Sequence, residues 1–241
     1  MSVQEDKDEN LIAHLEALRS MLVRCLTVMA LVLPPMFLIA PYFLDWLIRT
    51  IIAEAPVTLN FFSPAEVFIL QIKLAVVLDL AVCFPYLARQ IWNFVLPALY
   101  DNERRFIRSV VLTSSLLFCI GVVFCTFLIL PMIIKFGVSF ATEDIKAVFG
   151  ISNVIGLSLW LAAAFGIMFQ FPLVTYSLIR SGIASYDAVK SKRRYIFVAI
   201  LIISGILTPP DIVSQLMLTL PTYGLFEGGL YFARRIKKPS E

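Results

Sequence analysis

Charge is scarce in this chain, and most of what soluble domains and enzymes depend on is scarce with it. Only 15% of the 241 residues are Asp, Glu, Lys or Arg, while 60% are hydrophobic. That balance excludes an ordinary soluble domain and reads as an all-α, polytopic membrane protein. There is one histidine, His14, with no Cys or second His beside it, so no metal site is expected. The four cysteines, Cys25, Cys83, Cys119 and Cys125, sit in apolar runs without ligand spacing and read as small core or lipid-facing hydrophobes rather than disulfide partners. No Gly-rich phosphate loop, H-E-x-x-H or G-x-S-x-G is present, so neither an enzyme nor a bound cofactor is expected. The opening M-S-V-Q-E-D-K-D-E-N is acidic where a cleavable signal peptide is basic, which predicts a retained, cytoplasmic N-terminus. Without a Pro/Gly/Ser-rich linker or a repeat, residues 1–241 are expected to form one membrane domain.

What the chain has in abundance is long apolar runs. They predict six spans, at 25–44, 65–87, 109–134, 153–179, 195–207 and 212–232. Span five is short: 13 residues rise about 20 Å, against a hydrocarbon core of about 30 Å. Pro34, Pro35 and Pro131 predict kinks in spans one and three. Gly224 and Gly228 form a small-xxx-small pair suited to close helix approach. Before span one, Asn10 is a plausible N-cap, and Leu11, Leu15, Leu18 and Leu22 recur at helical spacing. Either an amphipathic surface helix or a plain continuation of span one fits that pattern. Within span two, Lys73 and Asp79 are intramembrane charges that either snorkel or find a partner across the bundle.

The cations set an orientation. Sixteen of the twenty Lys and Arg fall before span one, between spans two and three, between four and five, and after six. Only Arg49, Lys135 and Lys146 fall on the other side, so both termini are expected to be cytoplasmic.

One polar interruption stands out, the stretch from Arg89 to Arg108 between spans two and three. Trp92, Phe94 and Leu96 give it an apolar surface, Pro97 stiffens it and Glu103 offers a carboxylate. A carboxylate beside aromatic surface suits a ligand with a guanidinium followed by a hydrophobic segment. Glu103 pairing with Arg104 or Arg105 as a solvated cluster fits the same residues.

F-V-L-P-A-L-Y-D-N-E-R-R at 94–105 resembles the first cytoplasmic loop of the C subunit of the twin-arginine protein translocase, the TatC family, whose pattern is F-x-x-P-A-L-x-x-x-E-[KR]. Further segments agree in order: H-L-x-x-L-R at 14–19, S-P-x-E at 63–66, A-F-G-x-x-F-x-x-P at 164–172, and L-T-P-P-D-x-x-S-Q with L-P-x-Y-x-L-F-E between 207 and 227. The resemblance covers nearly the whole chain. It implies a glove-like bundle of six helices in the cytoplasmic (inner) membrane that binds the twin-arginine signal peptides of folded cargo, with transport driven by the proton-motive force. Single-span A- and B-type subunits would be its partners in an oligomeric assembly. Phe94 and Glu103 would contact the signal peptide, with Pro97, Glu16 and Arg19 in the same region. Gln170, Asp211 and Gln215 would be polar positions facing partners.

Two departures matter. The family pattern H-L-x-E-L-R reads here His14-Leu15-Glu16-Ala17-Leu18-Arg19, which moves the acid by one residue, about 100° around a helix. Span four carries Gln170 in place of the family's intramembrane Glu, keeping hydrogen-bonding capacity but losing charge. That amide either satisfies a carbonyl freed by Pro172 or bonds a polar side chain of a partner helix. A secondary transporter of a small solute also fits six spans with buried polar residues, and would be favoured by two similar halves with broken helices.

Overall fold

The computed structural model describes residues 2–54, 58–95, 104–140, 142, 148–208 and 212–234. It is built from nine α-helices and two short strands among those residues: α1 (Ser2–Glu54), β1 (Thr58–Asn60), α2 (Pro64–Val95), α3 (Arg104–Phe124), α4 (Leu130–Val138), β2 (Val148–Gly150), α5 (Ile151–Met168), α6 (Phe171–Arg180), α7 (Tyr186–Ser191), α8 (Arg193–Leu207) and α9 (Ile212–Ala233). Four stretches, 14–51, 64–94, 107–138 and 151–180, are long and apolar enough to cross a membrane. Their many exposed Leu, Ile and Phe side chains, such as Leu31, Leu38 and Phe127, are what a lipid-facing surface requires. The α8 and α9 pair supplies spans five and six, and α8 rises only about 22 Å over its 15 residues.

The first span corrects one expectation and decides between two others. Asn10 lies inside α1 rather than capping it, because the acids of the opening residues suit the positive end of a helix and let it begin at Ser2. There is no separate surface helix: α1 runs unbroken through Pro34, Pro35 and Pro41. Its buried side, Ala40, Leu44, Leu47 and Ile51, packs on Leu70, Leu74 and Ala75 of α2, with Ile155 and Leu159 of α5 behind.

Span three is interrupted by a different device from a simple proline kink. Residues Cys125–Ile129 form a π turn, with Leu130 N–H reaching back to the Cys125 carbonyl. Pro131 follows at once and has no N–H to give, so the wider turn accommodates the missing donor. Span four breaks too, at Phe169 and Gln170 between α5 and α6.

The glycines of α9 work one residue out of the expected register. A Cβ at Gly224 or Gly228 would meet nothing within 4 Å. Both line an open apolar cavity of about 590 Å³ between α3, α6 and α9. Gly229 is the close approach, since a Cβ there would stand 2.5 Å from Pro172 Cα and 2.6 Å from the Pro172 carbonyl oxygen. Helical spacing alone offers both faces of α9; the packing of α6 selects the second.

The fold also holds a small sheet absent from an all-α reading. Thr58, Leu59 and Asn60 pair in parallel with Val148, Phe149 and Gly150. This ties the loop after α1 to the loop before α5. Beside it the S-P-x-E segment caps α2: Phe62 N–H donates to Glu66 Oε2 at 2.8 Å, and Glu66 N–H donates to the Ser63 carbonyl at 3.0 Å.

Candidate functional site

The root of the polar loop is built by three helices. Trp92 and Ala88 of α2 pack with Val110 of α3 and Leu173 of α6 in one buried cluster, flanked by Phe84, Ile107 and Val111. Burial of the large indole holds the end of α2 against the start of α3. Two residues beyond Trp92, Phe94 stacks on His14 of α1, with ring centroids 4.5 Å apart and planes 27° from parallel. The half-buried Phe94 ring therefore has one face covered by imidazole and is fixed where the loop leaves the membrane helix.

Glu103 and Pro97 lie outside the described residues, as does Asp211. Of the remaining loop-side candidates, Phe94 is brought to α1, but Glu16 and Arg19 are not brought to Phe94. Both are exposed, and on α1 they lie about 200° and about 140° around from His14. Ala17 lies only about 60° from His14, so the one-residue shift of the acid moves it about 100° around α1, further from the side that carries His14. In the sequence His14 is a lone imidazole without metal partners and the first residue of the H-L-x-x-L-R motif, and neither reading points to Phe94. Its contact joins residues far apart in the chain, and no local spacing signals it.

The intramembrane polar positions are tied within the chain. Gln170 bridges span four to span three: Ser114 Oγ donates to its Oε1 at 2.6 Å, and its Nε2 donates to the Ser114 carbonyl at 3.1 Å and the Gly166 carbonyl at 3.3 Å. The carbonyl it serves is not the one that Pro172 frees. Gln170 N–H turns to Ile167 instead, and this releases Gly166 to the side chain. Gly166 is itself pressed against Phe118 of α3, where a Cβ would come within 2.5 Å of the ring. Gln215 at the start of α9 crosses to α8, its Nε2 donating to the Leu201 carbonyl at 3.0 Å over Gly205. Asp79 is 2% exposed, and the hydrogen bond described for it comes from Cys83 Sγ at 3.4 Å, one turn along its own helix rather than across the bundle.

At the other end of α9, the L-P-x-Y-x-L-F-E segment is structural. Arg193 of α8 pairs with Glu227 Oε2 at 2.9 Å, while Tyr223 O–H donates to Glu227 Oε1 at 2.9 Å. Ile200, Phe226 and Leu230 close the helix pair beneath. No group of three or more His, Cys, Asp or Glu positioned to hold a metal occurs among the described residues.

Comparison with known proteins gives the arrangement a family. The profile of "Sec-independent protein translocase protein (TatC)" matches residues 13–221. The Haemophilus influenzae protein of that name is 34% identical over 95% of this chain and 90% of its own length. Its Escherichia coli K12 counterpart is 33% identical over 97% of this chain and 91% of its own. A crystal structure of the twin-arginine translocase receptor TatC in DDM superposes with a TM-score of 0.84 at 29% identity, covering 91% of this chain and 99% of that one. The likeness extends over most of the chain, and the chain belongs to the TatC family of Sec-independent protein translocase proteins.

Proposed function

We propose that this translocase subunit is the receptor for twin-arginine signal peptides of folded cargo, with the peptide's guanidinium held by Glu103 and its hydrophobic segment laid against Phe94 near Pro97. The observation supporting this reading is the Phe94 ring, fixed on His14 at the root of the loop. A preset apolar surface costs the ligand little ordering entropy, and a carboxylate from the same loop would supply the charge-assisted, two-pronged bond that guanidinium prefers. Glu16 and Arg19, on the far side of α1, would meet only parts of the peptide that wrap around that helix. The proposal places the subunit in the cytoplasmic membrane with both termini and this loop on the cytoplasmic side. A photo-crosslinker at position 94 tests site and orientation together. It should capture a twin-arginine peptide in inside-out vesicles and neither a twin-lysine peptide there nor the twin-arginine peptide in right-side-out vesicles. Equal capture from both sides overturns the orientation; equal capture of both peptides overturns the receptor.

The assembly we propose contains single-span A- and B-type subunits in an oligomer, driven by the proton-motive force, with Gln170, Asp211 and Gln215 as polar positions for partner contact. Gln170 has an in-chain role to be separated from this one, and two substitutions do so. Gln170→Leu removes the bridge to Ser114 and should lower the thermal midpoint of the purified protein by an amount equivalent to about 0.6–2 kcal/mol. Gln170→Glu should be tolerated as the neutral acid, because an ionised carboxylate would face the Ser114 and Gly166 carbonyls. If co-purification of the single-span subunits is undiminished in Gln170→Leu, the residue serves only its own bundle.

A further inference from the structure

Two arginines of the polar loop region, Arg89 and Arg108, take no part in the peptide site proposed above. Both line one cavity of about 660 Å³ between the end of α2 and the start of α3, together with Asn93, Ile107, Val111 and Leu112. No acidic side chain lines it among the described residues. Both guanidiniums are exposed. The cavity sits where the apolar stretch of α2 ends, at Phe94, and that of α3 begins, at Ile107, which is the depth of a membrane interface.

We propose that this cleft binds the phosphate of an anionic membrane phospholipid. Two guanidinium forks and the Asn93 amide offer only donors or an amide dipole to the site, and arginine matches phosphate oxygens two at a time. The apolar wall points to a lipid rather than a free anion. Leu112 is 65% exposed at the mouth of the cleft, and Leu116, one turn deeper on the same face of α3, is 60% exposed. An acyl chain descending from a phosphate held by Arg89 and Arg108 would lie along these two leucines. Basic pockets between membrane helices near the surface recognise lipid headgroups in this manner. A cationic signal peptide is repelled by the same pair, so the cleft is a separate site beside the one at Phe94.

The test is native mass spectrometry of the purified full chain in nonionic detergent, titrated with phosphatidylglycerol, phosphatidylcholine or inorganic phosphate. Phosphatidylglycerol should bind saturably, and Arg89→Gln with Arg108→Gln should weaken it about tenfold or more. Phosphatidylcholine should bind weakly to both forms, and equimolar inorganic phosphate should not displace the lipid. Lys192→Gln, which alters an exposed cation elsewhere, should change nothing. Arg89→Lys with Arg108→Lys keeps the charge but removes the forks, and should fall between parent and Gln variant, with the parent's elution profile as the check on folding. Equal retention of phosphatidylglycerol by the parent and the Gln variant overturns the proposal, as does equal retention of the two lipids. Displacement by inorganic phosphate also overturns it and assigns the cleft to a soluble anion.

Discussion

Glu103→Ala is expected to abolish export of twin-arginine cargo and to weaken peptide binding to the purified protein by about ten- to a hundredfold. A charge-assisted hydrogen bond contributes roughly 1.5–3 kcal/mol, and that sets the range. Glu103 precedes the first residue of α3, and the segment carrying it is anchored on both sides, by Trp92 in the buried cluster and by Val110. Removing the carboxylate should therefore cost binding without disturbing the helices that frame the loop. Glu66→Ala supplies the contrast. It removes the cap of α2 at the opposite end of that helix, and should lower stability by about 1 kcal/mol while leaving peptide affinity intact. If peptide affinity in Glu103→Ala equals the parent's, the carboxylate is an ion-pair partner of Arg104 or Arg105 and the receptor reading loses its central residue.

Gly229→Ala is expected to be the most damaging single methyl addition in α9. The new Cβ would stand 2.5 Å from Pro172 Cα and 2.6 Å from its carbonyl oxygen. Both are backbone atoms, and proline has no rotamer that could swing them aside. Relief requires α6 and α9 to separate, at a cost of about 3 kcal/mol, the upper end for overpacking. Purified Gly229→Ala should show a large drop in thermal midpoint or fail to yield monodisperse protein. Gly228→Ala, with nothing within 4 Å, should behave as the parent. A Gly229→Ala melt indistinguishable from the parent's would mean the two helices do not meet at this point.

The contrast between these neighbouring glycines shows how far the sequence could be read. Apolar runs locate spans because burial in lipid is a property of composition, and every predicted span falls on helix here, with the break at Phe169 and Gln170 inside span four. Motif order identifies the family because several weak patterns multiply. Which of Gly224, Gly228 and Gly229 faces a neighbour depends on where α6 lies, and helical spacing does not carry that information. The same holds for the His14 and Phe94 stack and for the pairing of Thr58–Asn60 with Val148–Gly150, each joining segments remote in the chain. Gln170 was legible as a polar group requiring a partner, whereas Ser114 as that partner was not, since its hydroxyl could equally have bonded within its own helix.

The π turn at Cys125–Ile129 bears on how this chain tolerates changes in length. A π turn carries one residue more than the α-helical turn it replaces. Upstream, Val110, Ser114, Phe118, Gly121 and Cys125 form one buried stripe. Downstream the stripe resumes at Ile129, Leu130 and Ile134, while Met132, which an uninterrupted helix would bury, is 44% exposed. The helix thus has the form of one that absorbed an insertion without rotating its lower half. Deleting one residue between 125 and 129 would let an α-helix run through with the same faces inward. The same deletion a turn or two earlier would rotate everything beyond it by about 100° and carry Leu130 and Ile134 out into lipid.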